Sequence, residues 1–272
     1  MNGIASQARG PAFRGFVAVL TILAGTGPLG AAELASHRAI YSLALGPVQV
    51  PGAFVEVGGA MKMELEKTCE GWIMGQDMTM NVVTAQGQRI EQNLHFTGWE
   101  SLDGRAYRFA ARRKTGDKTE SVRGRASIGA GGGPGEAVFK LPEARTLSLP
   151  GETLFPVGHT RWLIDRAMAG ERRASRIVFD GADGQGPERA VAFIGRRKEP
   201  GEGGALGPLT DRPGWNVRLA FFPQDSRAAA PEYEIEIHQL DNGVATRMVL
   251  DFKAFSVVLT LEKIEALTPP SC

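Results

Sequence analysis

The residues able to do chemistry are few and scattered. The chain has four histidines, His37, His95, His159 and His238. His159 stands beside Thr160 and six positions before Asp165, and an imidazole with a carboxylate nearby could act as a general base. Both lie in a segment of helical period, where a polar contact on the helix surface is the plainer reading. His238 follows an alternating strand-like run and reads as a solvent-facing strand residue. Asp180-Gly181-Ala182-Asp183-Gly184 spaces oxygen ligands between glycines, as half of a calcium loop does. It lacks the full D-x-[DN]-x-[DN]-G spacing and the closing glutamate, so it reads as a hairpin turn. Gly124-Arg125-Ala126-Ser127-Ile128-Gly129 has one residue too many for a nucleophile elbow. There is no H-E-x-x-H, no phosphate-binding loop and no dinucleotide fingerprint. The sequence therefore predicts a protein that is not an enzyme, with no metal and no cofactor.

The remaining reactive residues are two cysteines, Cys69 in an early strand-like run and Cys272 at the end of the chain. Arg9 and Arg14 precede a short apolar core at Phe16–Ala24, and Gly30, Ala31 and Ala32 suit signal-peptidase cleavage before Glu33. Residues 1–32 thus read as an export signal, and 33–272 as one domain. The apolar run falls short of the about 20 residues that a membrane span needs, and no later segment reaches that length. Export implies an oxidising compartment. Two cysteines permit one intramolecular pairing. A free buried Cys69 and an intermolecular bond through Cys272 are the alternatives.

The chain carries 31 Lys plus Arg against 30 Asp plus Glu. Without Arg9 and Arg14 the balance is 29 against 30, which gives no electrostatic case for nucleic acid as a partner. Basic clusters occur at Arg112-Arg113-Lys114, at Arg172-Arg173 with Arg176, and at Arg196-Arg197-Lys198. Gathered on one face they could meet anionic lipid head groups or lipopolysaccharide phosphates. With Glu120, Glu171 and Glu199 nearby, they read first as solubilising strand and loop ends.

Period two dominates the elements that must position these residues. Met61–Glu66 and Glu232–Ile237 alternate apolar and charged residues, the pattern of strands with one buried face. Further strands are predicted at 37–45, 76–83, 89–99, 105–112, 118–128, 137–141, 175–179, 189–196, 215–222, 244–252 and 255–267. Asp103-Gly104, Asn242-Gly243 and Gly116-Asp117 supply hairpin turns. Pro156–Gly170 alone has helical spacing, with Pro156 in the first turn and Gly170 as the stop. The Gly/Pro-rich stretches 130–135 and 199–207 read as surface loops. The fold expected is mainly β. It is a single long antiparallel meander rolled into a spiral or open barrel, with one principal helix near 156–169 packed against or plugged into the sheet. Rolling deals with edges that one helix cannot cover and can leave a cavity. Met61, Met63, Met78 and Met80 could line an adaptable apolar pocket there.

An ordered set of segments resembles a known family. The segments are His37-Arg38-Ala39-Ile40-Tyr41, Ser101-Leu102-Asp103-Gly104-Arg105, LFPVGHTRWLIDRAMAGER at 154–173, IVFDGADG at 177–184, LDNGVATRMVLDF at 240–252, and the terminal Cys272. They are similar to the EipB-type cell-envelope integrity proteins of Gram-negative bacteria over nearly the whole mature chain. The resemblance implies a periplasmic protein with a many-stranded spiral sheet, a disulfide between Cys69 and Cys272, and no established enzymatic activity. It further implies a role in envelope integrity, through a periplasmic protein partner or an envelope lipid. Carriage of a lipid or acylated ligand within the rolled sheet is the alternative, by analogy of shape.

Overall fold

The computed structural model describes residues 32–50, 52–201, 206–268 and 270–272. The export-signal reading lies outside the described residues except at Ala32. Among the described residues, fourteen strands form one antiparallel sheet. The first eight are β1 (His37–Val48), β2 (Phe54–Lys67), β3 (Gly71–Thr84), β4 (Arg89–Ser101), β5 (Ala106–Thr115), β6 (Lys118–Ser127), β7 (Gly135–Leu141) and β8 (Arg145–Leu149). After helix α1 (Pro156–Met168) come β9 (Arg173–Val178), β10 (Glu188–Lys198), β11 (Gly214–Pro223), β12 (Tyr233–Leu240), β13 (Ala245–Asp251) and β14 (Phe255–Ala266).

The sheet order is β8-β7-β6-β5-β4-β3-β2-β1-β14-β13-β12-β11-β10-β9. Two sequential meanders thus join where the first strand pairs with the last, Tyr41 opposite Leu261 and Leu43 opposite Leu259. This seam removes two edges that would otherwise template association. The sheet stays open between β8 and β9, and α1 is the segment that links those two edges. Beside β9, Leu154 bridges to Val178: its N–H donates to Ile177 O, and its carbonyl accepts from Phe179 N–H.

Three turns fall where the dipeptides predict, with Gly104, Gly116 and Gly243 at φ 68°, 57° and 88°. Strand β8 is absent from the sequence reading, and a short 3-10 turn at Ala130–Gly132 occupies the expected loop. Cys69 is not in a strand. It sits exposed in the β2–β3 turn, where the Thr68 hydroxyl oxygen accepts from Gly71 N–H at 3.1 Å. The apolar parity of β2 runs on to Cys69 in sequence, but the Thr68 turn ends the strand at Lys67.

The helix packs inside the roll. Val157, Leu163, Ile164 and Ala167 share a core with Leu65 and Trp72 of one arm and with Ala190, Ile194, Trp215 and Val217 of the other. A second core lies under the seam and includes Tyr41, Met61, Met80 and Leu259. A third is aromatic. Phe109 lies edge-on to Phe139 and Phe179, centroids 5.3 and 5.6 Å away, while Tyr107 stacks on Phe155 at 5.0 Å. Phe155 precedes α1 and Phe179 follows β9, so this cluster ties β5 and β7 across the open side of the sheet. Gly181 fits beneath it at φ +68°, and an added Cβ would lie 2.6 Å from the Phe109 ring. Gly181→Ala should therefore cost about 2 kcal/mol of stability, from backbone strain plus overpacking, measured by urea unfolding. A loss within about 0.5 kcal/mol, the range of ordinary surface changes, would contradict this packing.

Candidate functional site

The inner faces of the two arms line a half-open cavity of about 790 Å³. Register places its walls. Met63 of β2 is opposite Gln76 of β3, which is opposite Phe96 of β4. Paired residues in antiparallel strands share a face, so these three and Leu94 project inward together. Ile235 of β12 pairs with Leu250 of β13 on the other arm, and Val157 and Thr160 of α1 complete the wall. Arg113 of β5 also projects inward, because it pairs with Leu94.

One end of the cavity is acidic. Asp180 and Asp183, in the β9–β10 connection, line it together with Tyr233. Each aspartate also closes a tight turn, accepting a backbone N–H two residues on, at 2.9 and 2.7 Å. The turn reading of this segment therefore matches the structure. Asp180 is packed round by protein yet solvent-accessible, because it opens into the cavity. Burial raises its pKa, Asp183 adds to the rise, and Arg113 opposes it. The Tyr233 hydroxyl donates to Glu188 Oε2 at 2.7 Å. Burial pushes Glu188 up to about 7 against that hydrogen bond, and Asp180, Asp183 and Glu232 push it further. The cavity thus offers an apolar body, a single inward guanidinium and an acidic end at which burial raises the Asp180 pKa.

A buried glutamate sets the helix that walls this space. Glu100, at the end of β4, is 2 % exposed. Its two carboxylate oxygens accept the N–H groups of Val157 and Gly158, each at 2.8 Å. Phe155, at the N-cap position, offers no side-chain cap. Glu100 therefore satisfies the free donors of the first turn from another strand, and its charge faces the positive end of the helix. Burial raises its pKa to about 7, against the pull of those two N–H groups and of Arg161.

The residues singled out in the sequence separate. Cys69 and Cys272 are joined, Cα atoms 5.7 Å apart. Met63 lines the cavity. Met61 and Met80 are buried in the seam core, and Met78 packs against it. Met74, which the sequence reading passed over, lines the cavity with Leu94 and Phe96. His159 and Asp165 do not form a catalytic pair. Six residues on a helix put them about 120° apart around its axis, and Asp165 accepts the N–H of Ala32 at 2.9 Å. His159 stacks on Trp162, and burial lowers its pKa to about 4. His238 leaves the outer face as its parity predicts, but it is half-buried, and its Nε2 is enclosed without a partner.

Among the described residues no helix is long and apolar enough to cross a membrane. Comparison with known proteins agrees with the architecture. The chain is 28% identical over 262 residues to the cell envelope integrity protein EipB of Brucella abortus (strain 2308), covering 90% of this chain and 91% of that protein. It is similar to the crystal structure of a beta-barrel-like protein of domain of unknown function DUF1849 from Brucella abortus. That likeness has a TM-score of 0.79 at 26% identity, over 88% of this chain and 100% of that one. The EipB-like family model matches residues 28–268, and the chain accordingly belongs to the EipB-like family.

Proposed function

We propose that this protein supports cell-envelope integrity from the periplasm, without catalysing a reaction, by holding the apolar part of an envelope amphiphile between its two arms. The observation that carries this reading is the cavity of about 790 Å³ walled by Met63, Met74, Leu94, Phe96, Ile235 and Leu250. Side chains of this kind gain from covering hydrocarbon, at about 0.8 kcal/mol per buried methylene. Arg113 and the aspartates at the acidic end meet the ligand's polar end. The name of the Brucella relative supports the envelope role, and the export signal read in the sequence supports the compartment.

Purified protein titrated with a fluorescent fatty acid should bind it saturably and release it to an unlabelled amphiphile. Leu94 is half-buried and lines the cavity. Leu94→Glu should weaken binding by about tenfold or more, because it puts a charge against the ligand's hydrocarbon. No saturable binding, or equal binding by the variant with its fold intact, would remove the cavity reading.

A further inference from the structure

Basic residues far apart in sequence converge away from the interior cavity. A second depression, of about 870 Å³, lies on the outer side of β10–β14. Asn216, His238, Arg247 and Thr260 are register partners across β11–β14 and project from the face opposite to the core residues Val217 and Leu259. Arg172, Lys198, Arg218 and Arg247 line the depression, with Glu236 as the carboxylate among them. Glu236 is already held by Arg218, at 2.7 Å. Arg172, among the described residues, donates only to the neutral carbonyl of Gly195. Among the described residues neither Lys198 nor Arg247 has a carboxylate partner. Three positive charges among the described residues therefore face one space without a carboxylate partner.

His238 borders the same space. Its Nδ1 lies 2.5 Å from Thr246 Oγ1, and its Nε2 is buried with no partner. With the Thr246 hydroxyl donating to Nδ1, or with the ring protonated, Nε2 carries a hydrogen. Nε2 is itself enclosed, so an anion in the depression acts on the ring through its charge, which favours the protonated form. Burial first, and the charge of Lys198 second, lower the His238 pKa, so Lys198 and the imidazole already sense one another. Phe193, 47 % exposed, provides an apolar border.

We propose that this outer depression binds a phosphate group, either free or carried by a lipid head group. A phosphate offers enough acceptor oxygens for two guanidinium forks and an ammonium at once, whereas one carboxylate offers two. The proposal is independent of the interior cavity and of its ligand.

The test follows the His238 ring by NMR in protein carrying ¹⁵N-labelled histidine, titrated with inorganic phosphate. In parallel, the protein is sedimented with vesicles of phosphatidylglycerol in phosphatidylcholine. The expected result is a saturable shift of the His238 ring or saturable vesicle binding, weakened about tenfold by Lys198→Gln and by Arg247→Gln. Both substitutions are on the surface, and circular dichroism confirms the fold. A response to phosphate alone identifies a free anion as sufficient; a response to vesicles alone identifies the head group. Arg125→Gln, on exposed β6, should leave binding unchanged. The proposal is overturned if neither probe binds, if the two variants bind as the parent does, or if Arg125→Gln weakens binding equally.

Discussion

Replacing Cys69 and Cys272 together by serine should lower stability by about 5 kcal/mol at most, because their bond closes a loop with a sequence separation of 203 residues. For a domain of this size that corresponds to about 10–20 °C in Tm. The tether joins the β2–β3 turn to the residues after β14, so it spans the seam where the two meanders meet. Leu267 N–H donates to Ser36 O at 2.9 Å just before the tail, but one hydrogen bond cannot replace the lost constraint on the unfolded chain. Both cysteines are solvent-exposed, so reductant should reproduce the loss in the parent. Calorimetry with and without dithiothreitol measures it. An unchanged Tm in both experiments would show that the seam holds without its clamp.

Glu100→Ala should cost about 3 kcal/mol, since it leaves two buried helix N–H groups without acceptors. The residue also gives a pH signature with a definite sign. Its pKa rises from the ordinary 4.5 to about 7 on folding, so the folded protein holds this proton more tightly. The associated stability is complete below pH 4.5 and is lost as pH rises through about 7. The stability of the parent minus that of Glu100→Gln should therefore shrink by about 3 kcal/mol between pH 4.5 and 8. Taking the difference matters, because His37, His159 and His238 have lowered pKa values. Histidines of that kind lose stability as pH falls, which opposes the carboxylates. Urea unfolding of both proteins across that range checks it, and a constant difference would contradict the assignment.

Local pattern exposed most of this fold, and long-range pairing stayed hidden. Alternation marks β2 and β12 because each has one wet face, and Pro156 with Gly170 brackets α1. Nothing local tells His37–Val48 that its neighbour lies more than two hundred residues away, since any apolar edge strand fits its parity equally well. Strand β8 has only five residues, between Pro142 and Pro150, too short for its alternation to stand out. Glu100 did carry a signal. It shares the inward parity of Leu94 and Phe96 in β4, and a charge at such a position requires buried partners. The cavity was legible only as an inward set of methionines. Whether an inward side chain meets another or meets space depends on how the arms curl, which is why Met63 borders the cavity while Met61 and Met80 do not.

A family member built this way should hold an envelope amphiphile between its arms. Native mass spectrometry of protein released from the periplasm without detergent tests this most directly. The account predicts a population heavier than the bare chain, whose extra mass is an extractable amphiphile and is depleted in Leu94→Glu. A single species at the mass of the disulfide-bonded chain, from cells whose detergent resistance depends on the protein, would contradict it.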